Sequence, residues 1–144
     1  MNKIQILITD NHKLSRENLS FVLNCDSRFE VMGECAVPEE AVAMSKTVCP
    51  DIILMSINDN AYSELDATEQ IRDISPSCGI IGISSNPQPS FAKKIMQKGA
   101  KGYVTKNSSR DEIIKAILEV HKGNKYVCAE VKNIIADQLF SYDE

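Results

Sequence analysis

Five short apolar runs recur along the chain and predict five β-strands. They cover residues 4–9, 29–35, 51–56, 79–84 and 102–105. The third and fourth, DIILMS and GIIGIS, are apolar nearly throughout, which is typical of strands buried on both faces of a parallel sheet. The second, FEVMGEC, alternates between apolar and polar residues, which indicates an edge strand with one wet face.

The segments between these runs have the 3.6-residue period of amphipathic helices. Pro38, which two glutamates follow, starts the second helix, because proline and negative charge both suit a first turn. Ser109 and Glu112 form a capping box at the start of the fifth helix. Strands that alternate with helices across short connections form right-handed βαβ units. The sequence therefore predicts an α/β fold, a doubly wound parallel sheet with helices on both faces.

The pattern changes after Gly123, where a sixth helix is expected with no strand before it. This helix is predicted over residues 128–140, and its apolar stripe consists of Val131, Ile134, Ile135 and Leu139. An isolated helix of about 12 residues is marginal in water, so the stripe must pack on the domain, on a second copy or on something beyond residue 144. We therefore divide the chain into a domain over 1–124 and a linker helix with a tail over 125–144.

Composition narrows the class of protein. The 144 residues suit one domain, and the net charge of −4 argues against non-specific binding to nucleic acid or membranes. The five cysteines are odd in number, widely spaced and form no C-x-x-C pair, so we expect reduced core thiols and no zinc site. The sequence has neither a bilayer-spanning apolar run nor a signal peptide, which predicts a cytoplasmic protein without membrane contact.

Polar side chains follow the predicted strands at their carboxyl ends, where open α/β sheets bind their ligands. They are Asp10 and Asn11 after the first strand, Ser56 and Asn58 at the third, Ser84 at the fourth and Lys106 after the fifth. The succession of an acid, two hydroxyls and a lysine is the feature of this sequence that indicates function.

The motifs around these positions resemble those of the receiver domain of bacterial response regulators, the CheY-like domains. They are ITDNH (8–12), PDIILMSIN (50–58), GIIGISS (79–85) and KGAKGYVTKN (98–107). The resemblance covers residues 4–127, and its last part, HKGNKYV, is similar to the subfamily whose full-length members carry a LuxR-type helix-turn-helix. It implies a flavodoxin-like five-stranded sheet in the order 2-1-3-4-5, followed here by an extra C-terminal helix.

The resemblance also implies roles for single residues. In that family two acids after strand one and an aspartate after strand three hold Mg²⁺, and this aspartate takes phosphate from a histidine kinase. A Ser/Thr and a lysine contact the phosphate, and an aromatic residue on strand five changes rotamer on activation. Four positions match these roles, namely Asp10, Ser84, Lys106 and Tyr103. Two do not, because Asn11 replaces the second acid and Ser56 replaces the phosphoacceptor aspartate.

These two departures change the expected chemistry. A carboxylate is ionised at neutral pH and attacks phosphorus directly, whereas the Ser56 hydroxyl needs an adjacent base. Mg²⁺ prefers anionic oxygens, and here Asp10 is helped only by the neutral Asn11 and Asn58. We therefore expect weak or lost Mg²⁺ binding, no other cofactor and no aspartyl phosphate. Lys106, which faces no acid at position 56, is expected to turn to Asp10.

Plainer interpretations of three residues stay open. Asp10 either caps the first helix or remains a metal ligand. Ser84 is either a phosphate ligand or a strand-end hydroxyl bonded to backbone. Tyr103 is either a switch or a packing residue. The sequence does not separate these roles.

The resulting hypothesis is a non-enzymatic signalling module, a pseudo-receiver of a two-component phosphorelay. It would act by protein–protein contact, through the face formed by the fourth and fifth strands and helices or through the sixth helix. Expected partners are a sensor histidine kinase, other regulators or a second copy. DNA and transcription control would involve a helix-turn-helix that these residues do not contain.

Two alternatives remain at this stage. The first is a receiver switched by a Ser/Thr kinase that phosphorylates Ser56, which would add about −1.5 to −2 charges. The second is a flavodoxin-like enzyme or a phosphatase of similar topology. The segment DNHKLSREN disfavours it, because it has neither a glycine-rich phosphate loop nor an Asp-x-Asp pair.

Overall fold

The computed structural model describes residues 2–140, which form six strands and six helices. The elements are β1 (Ile4–Thr9), α1 (Lys13–Asn24), β2 (Phe29–Cys35), α2 (Pro38–Ser45), β3 (Ile52–Ile57), α3 (Tyr62–Ile74), β4 (Gly79–Ser84), α4 (Pro89–Gln97), β5 (Gly102–Thr105), α5 (Arg110–His121), β6 (Tyr126–Val127) and α6 (Ala129–Phe140). The predicted tail over 141–144 lies outside the described residues.

The six strands form one parallel sheet in the order β2-β1-β3-β4-β5-β6. Its first five strands have the predicted order, so the doubly wound α/β fold is confirmed. β2 is an edge strand with mixed burial, and every residue of β4 is buried, as the two sequence patterns predicted. Only the third strand differs in its bounds, since it begins and ends one residue later than the apolar run.

The expectation that no strand precedes the last helix was wrong. Tyr126 and Val127 pair in parallel with Gly102 and Tyr103 of β5. Main-chain N–H groups of Tyr126 and Cys128 donate to Lys101 and Tyr103 carbonyls at 3.0 Å. A strand of two residues has no periodicity to detect, but it satisfies backbone groups that the edge of β5 would otherwise leave unpaired.

Helices cover both faces of the sheet and bury a core rich in Ile, Leu and Val. α1 and α5 border a common apolar groove, whereas α2 packs on α3 and α6 packs on α4. Cys35, Cys78 and Cys128 belong to the core, while Cys25 and Cys49 are exposed. Burial raises the pKa of the Cys35 thiol to about 11 and that of Cys78 to about 12. These two thiols are therefore core groups and unreactive at neutral pH.

Gly99, in the KGAKG motif, has a backbone conformation that favours glycine. It has φ 126° directly after α4, a left-handed conformation that other residues rarely adopt. A Cβ at this position would also lie 2.8 Å from Cδ of Arg72. The turn leads the chain into β5 and thereby sets the position of Lys106.

No helix within residues 2–140 is long and apolar enough to cross a membrane.

Candidate functional site at the carboxyl end of the sheet

The carboxyl ends of the central strands bring the predicted site residues together. Asp10 and Ser56 line two adjoining clefts, of about 130 Å³ and about 360 Å³. The smaller cleft is also lined by Lys106, and the larger one by Asn11 and Asn58. The predicted phosphoacceptor position, metal positions and lysine therefore share one site.

Lys106 connects the two strand ends. Its Nζ donates a hydrogen bond to Ser56 Oγ at 3.0 Å and lies 3.9 Å from Asp10 Oδ2. The expected ion pair with Asp10 is thus present, although the serine is the nearer partner. The lysine side chain is 40% exposed and the Asp10 side chain 10% exposed, so water reaches the lysine more than the carboxylate.

Asp10 is held by several donors besides Lys106. Its Oδ1 accepts the His12 N–H at 2.9 Å and lies 3.5 Å from His12 Nδ1. The Arg16 guanidinium donates to the Asp10 carbonyl oxygen at 2.7 Å and pairs with Glu34 at 3.2 Å. His12 is the N-cap residue of α1, and its own side chain makes no capping hydrogen bond. Asp10 therefore has a structural role at the start of α1, and the positive charge of Lys106 lies beside its carboxylate.

Glu64 is the residue of this site that sequence reasoning missed. It lies in the first turn of α3, is 5% exposed and lines the larger cleft. Its Oε2 accepts the Asn58 N–H at 2.9 Å, which fixes the loop after β3. An acid in a first turn is common on any solvated helix, so the sequence offered no signal of its burial. The expectation that Asp10 would be the sole acid holds for the strand ends but not for the whole cleft.

Ser84 and Tyr103 both contact the loop that follows β4. The buried Ser84 Oγ accepts the Asn86 N–H at 3.1 Å, which supports the interpretation as a strand-end hydroxyl. The Tyr103 hydroxyl donates to the Asn86 carbonyl, and its ring meets Phe91 edge-on with centroids 6.4 Å apart. Burial raises the pKa of Tyr103, so it remains a neutral donor. The fully buried ring is part of the core in this conformation.

The Lys106 ion pair should contribute little to folding. We expect Lys106→Met to change the free energy of unfolding by less than about 1 kcal/mol, because partly exposed pairs are screened by water. Lys98→Met is a matched control, since Lys98 is 43% exposed and lies 3.7 Å from Glu69. Urea unfolding of both variants checks this. A loss above about 2 kcal/mol for Lys106→Met alone would contradict it.

Comparison with known proteins identifies the family. Residues 6–118 match the sequence profile of the response regulator receiver domain. The chain is 32% identical to the transcriptional regulatory protein DegU of Brevibacillus brevis, over 99% of this chain and 62% of that protein. It is 29% identical to the response regulator UvrY of Escherichia coli K12, over 92% of this chain and 61% of that protein. The chain thus spans about three fifths of the length of these relatives.

Solved structures agree with this match. A LuxR-family two-component response regulator from Aurantimonas superposes with a TM-score of 0.88 at 26% identity, covering 96% of this chain and 99% of that one. The receiver domain of NarL from Mycobacterium tuberculosis gives 0.80 at 27% identity, covering 86% and 100%. These relatives are response regulators, so a flavodoxin-like enzyme is set aside. The chain belongs to the response regulator receiver domain family and is similar to the receivers of LuxR-family regulators.

Proposed function

We propose that the chain is a pseudo-receiver, a receiver domain that does not form an aspartyl phosphate and acts through protein–protein contact. The observation that carries the proposal is the hydrogen bond of 3.0 Å between Lys106 Nζ and Ser56 Oγ. The residue at the phosphoacceptor position is thus a hydroxyl that accepts from the lysine. In the family, that lysine contacts the phosphate.

The chemistry around Ser56 supports this proposal. A serine becomes a nucleophile when a neighbouring base removes its proton. The side chain that hydrogen-bonds to Ser56 Oγ is the Lys106 ammonium, a donor that has no lone pair to accept that proton. Ser56 therefore lacks the activation that would compensate for the missing carboxylate.

The donor set for Mg²⁺ also fits poorly. One Asp10 oxygen accepts a backbone N–H and the other faces Lys106, while the Glu64 carboxylate is bonded to the loop at Asn58. Asn11 contributes a neutral amide where the family has an acid. Within residues 2–140, no group of three or more acidic, His or Cys side chains is arranged to hold a metal ion. A hard cation that prefers anionic oxygens would therefore bind weakly.

Phosphorylation of Ser56 by a Ser/Thr kinase is the less supported alternative. Ser56 lies within β3 and is paired with Ile83 of β4. Its side chain is partly exposed in the cleft, but a kinase that binds its substrate as an extended segment would have to compete with the pairing of β3 in the sheet. Partners of the receiver would be a sensor histidine kinase, other regulators or a second copy. In a full-length form, a helix-turn-helix would supply DNA contact and transcription control, as the name of DegU suggests for that relative.

Acetyl phosphate tests the proposal directly. We expect no mass gain when the intact protein is incubated with acetyl phosphate and Mg²⁺, because Ser56 offers no ionised oxygen. Intact mass spectrometry before and after hydroxylamine, which cleaves acyl phosphates, measures the outcome. A stoichiometric hydroxylamine-labile phosphate would overturn the proposal. A hydroxylamine-stable phosphate on Ser56 would instead show that the serine itself attacks phosphorus, which would contradict the argument that it lacks activation.

A further inference from the structure

The last helix is an integral part of the fold at its start and exposed at its end. β6 extends the sheet beside β5, and α6 then packs on α4. Cys128 and Val131 are fully buried at this junction, whereas Ile135, Leu139 and Phe140 are exposed. The predicted apolar stripe is therefore covered by the domain only in its first half. Two side-chain hydrogen bonds add to this packing, and both act at the first turn of α6.

The first hold on α6 comes from Glu112 of α5. Glu112 Oε2 accepts the Ala129 N–H at 2.8 Å and the Tyr126 hydroxyl at 2.9 Å. Ala129 is the first residue of α6, where N–H groups lack helical partners and negative charge is favourable. Only half of the predicted capping box forms. The Glu112 N–H donates to the Ser109 hydroxyl as expected, but the Glu112 side chain caps α6 instead of reaching back to Ser109.

The charge state of this contact is well defined at neutral pH. Burial opposes ionisation of Glu112, but the hydrogen bonds from Ala129 and Tyr126 outweigh it, and the net pKa of the carboxyl is lowered. Burial and the Glu112 carboxylate raise the pKa of Tyr126 to about 12. The acceptor is therefore ionised and the donor protonated throughout the neutral range.

The second hold comes from Glu130 of α6. Its Oε1 accepts the Thr105 hydroxyl at 2.5 Å. Thr105 is buried at the end of β5 and directly precedes Lys106, whose ammonium lies in the cleft. The first turn of α6 is thus bonded to the strand end that carries the site lysine.

We propose that α6 is a strap that covers the α4–β5 face within the same chain, held closed by Glu112 and Glu130 and releasable as a unit. A partner that uses this face must then displace α6 first. The inference rests on the proposed function only in taking partner contact as the output of the domain. It revises the expectation that this face and the last helix are two separate contact surfaces.

Cys128 is a built-in reporter of strap release, because it is fully buried and directly precedes α6. In the unaltered protein, iodoacetamide should label Cys25 and Cys49 quickly and spare Cys35, Cys78 and Cys128. Peptide mass mapping over time gives each rate, and a buried thiol reacts in proportion to its open fraction.

Removing either hold should open the strap. We expect Thr105→Val and Glu112→Ala each to raise the alkylation rate of Cys128 roughly tenfold, since hydrogen bonds to charged groups are the stronger ones. Asp137→Asn, an exposed charge removal on α6, is the matched control and should leave the rate unchanged. Cys35 and Cys78 should stay protected in all three variants, which separates local release from global unfolding.

Three outcomes would overturn the proposal. Cys128 could react as fast as Cys25 in the unaltered protein, which would mean that α6 is not docked. Its rate could stay unchanged in both hold variants. All three buried thiols could become reactive together, which would mean that α6 does not open separately. None of these outcomes affects the acetyl phosphate experiment, which reports on Ser56 alone.

Discussion

Ser56→Asp should convert the chain from one that acetyl phosphate leaves unmodified into one that gains a single hydroxylamine-labile phosphate. An aspartate at this position is ionised at neutral pH, so it supplies the attacking oxygen that serine lacks. Lys106 Nζ already lies 3.0 Å from Ser56 Oγ, close enough to contact a carboxylate and then its phosphoryl group. The expected change is from no adduct to a substantial fraction of the protein.

Ser63→Asp is the control for this substitution. Ser63 is an exposed residue of α3 that lines the larger cleft, so its replacement adds the same charge without placing it at the end of β3. We expect no labile adduct in this variant. If Ser56→Asp folds, as judged by circular dichroism and by protection of Cys35 and Cys78, and still takes no phosphate, the assignment of position 56 as the acceptor site is wrong.

The fold was predictable because its signals repeat. Each strand has its own apolar run, and the helices have their own 3.6-residue period. A wrong assignment of one element therefore does not change the assignment of the others. β6 escaped detection because the two residues Tyr126 and Val127 hold their place by main-chain bonding to β5. Main-chain bonding of this kind leaves no pattern in the side chains.

The candidate site was predictable only in part. Strand ends converge in any parallel sheet, so Asp10, Ser56 and Lys106 were expected to meet. Contacts contributed by helices were not predictable in the same way. Glu64 and Glu112 each sit in a first turn, where acids are common for reasons of helix stability. Whether such a carboxylate is solvated or bonded to a neighbouring loop depends on helix packing, which the linear sequence does not encode locally.

Restoring the missing carboxylates should restore Mg²⁺ binding. We expect the double variant Asn11→Asp with Ser56→Asp to bind Mg²⁺ at least about a hundredfold more tightly than the unaltered protein. A divalent cation gains about 2 kcal/mol from each unit charge 4 Å away even at the dielectric constant of water, and about 1.4 kcal/mol is a factor of ten. Two added carboxylates beside Asp10 thus exceed the hundredfold threshold. Each single variant should show an intermediate affinity.

Isothermal titration calorimetry at fixed ionic strength measures this difference. Asn60→Asp, in the loop that lines the same cleft, is the matched control, because it adds a charge near the site but not at a strand end. It should raise the affinity far less than Asn11→Asp does. Sub-millimolar Mg²⁺ binding by the unaltered protein would contradict the prediction, since Asp10 would then suffice while bonded to His12 and facing Lys106. Equal gains from Asn60→Asp and Asn11→Asp would show that net charge rather than ligand position governs binding.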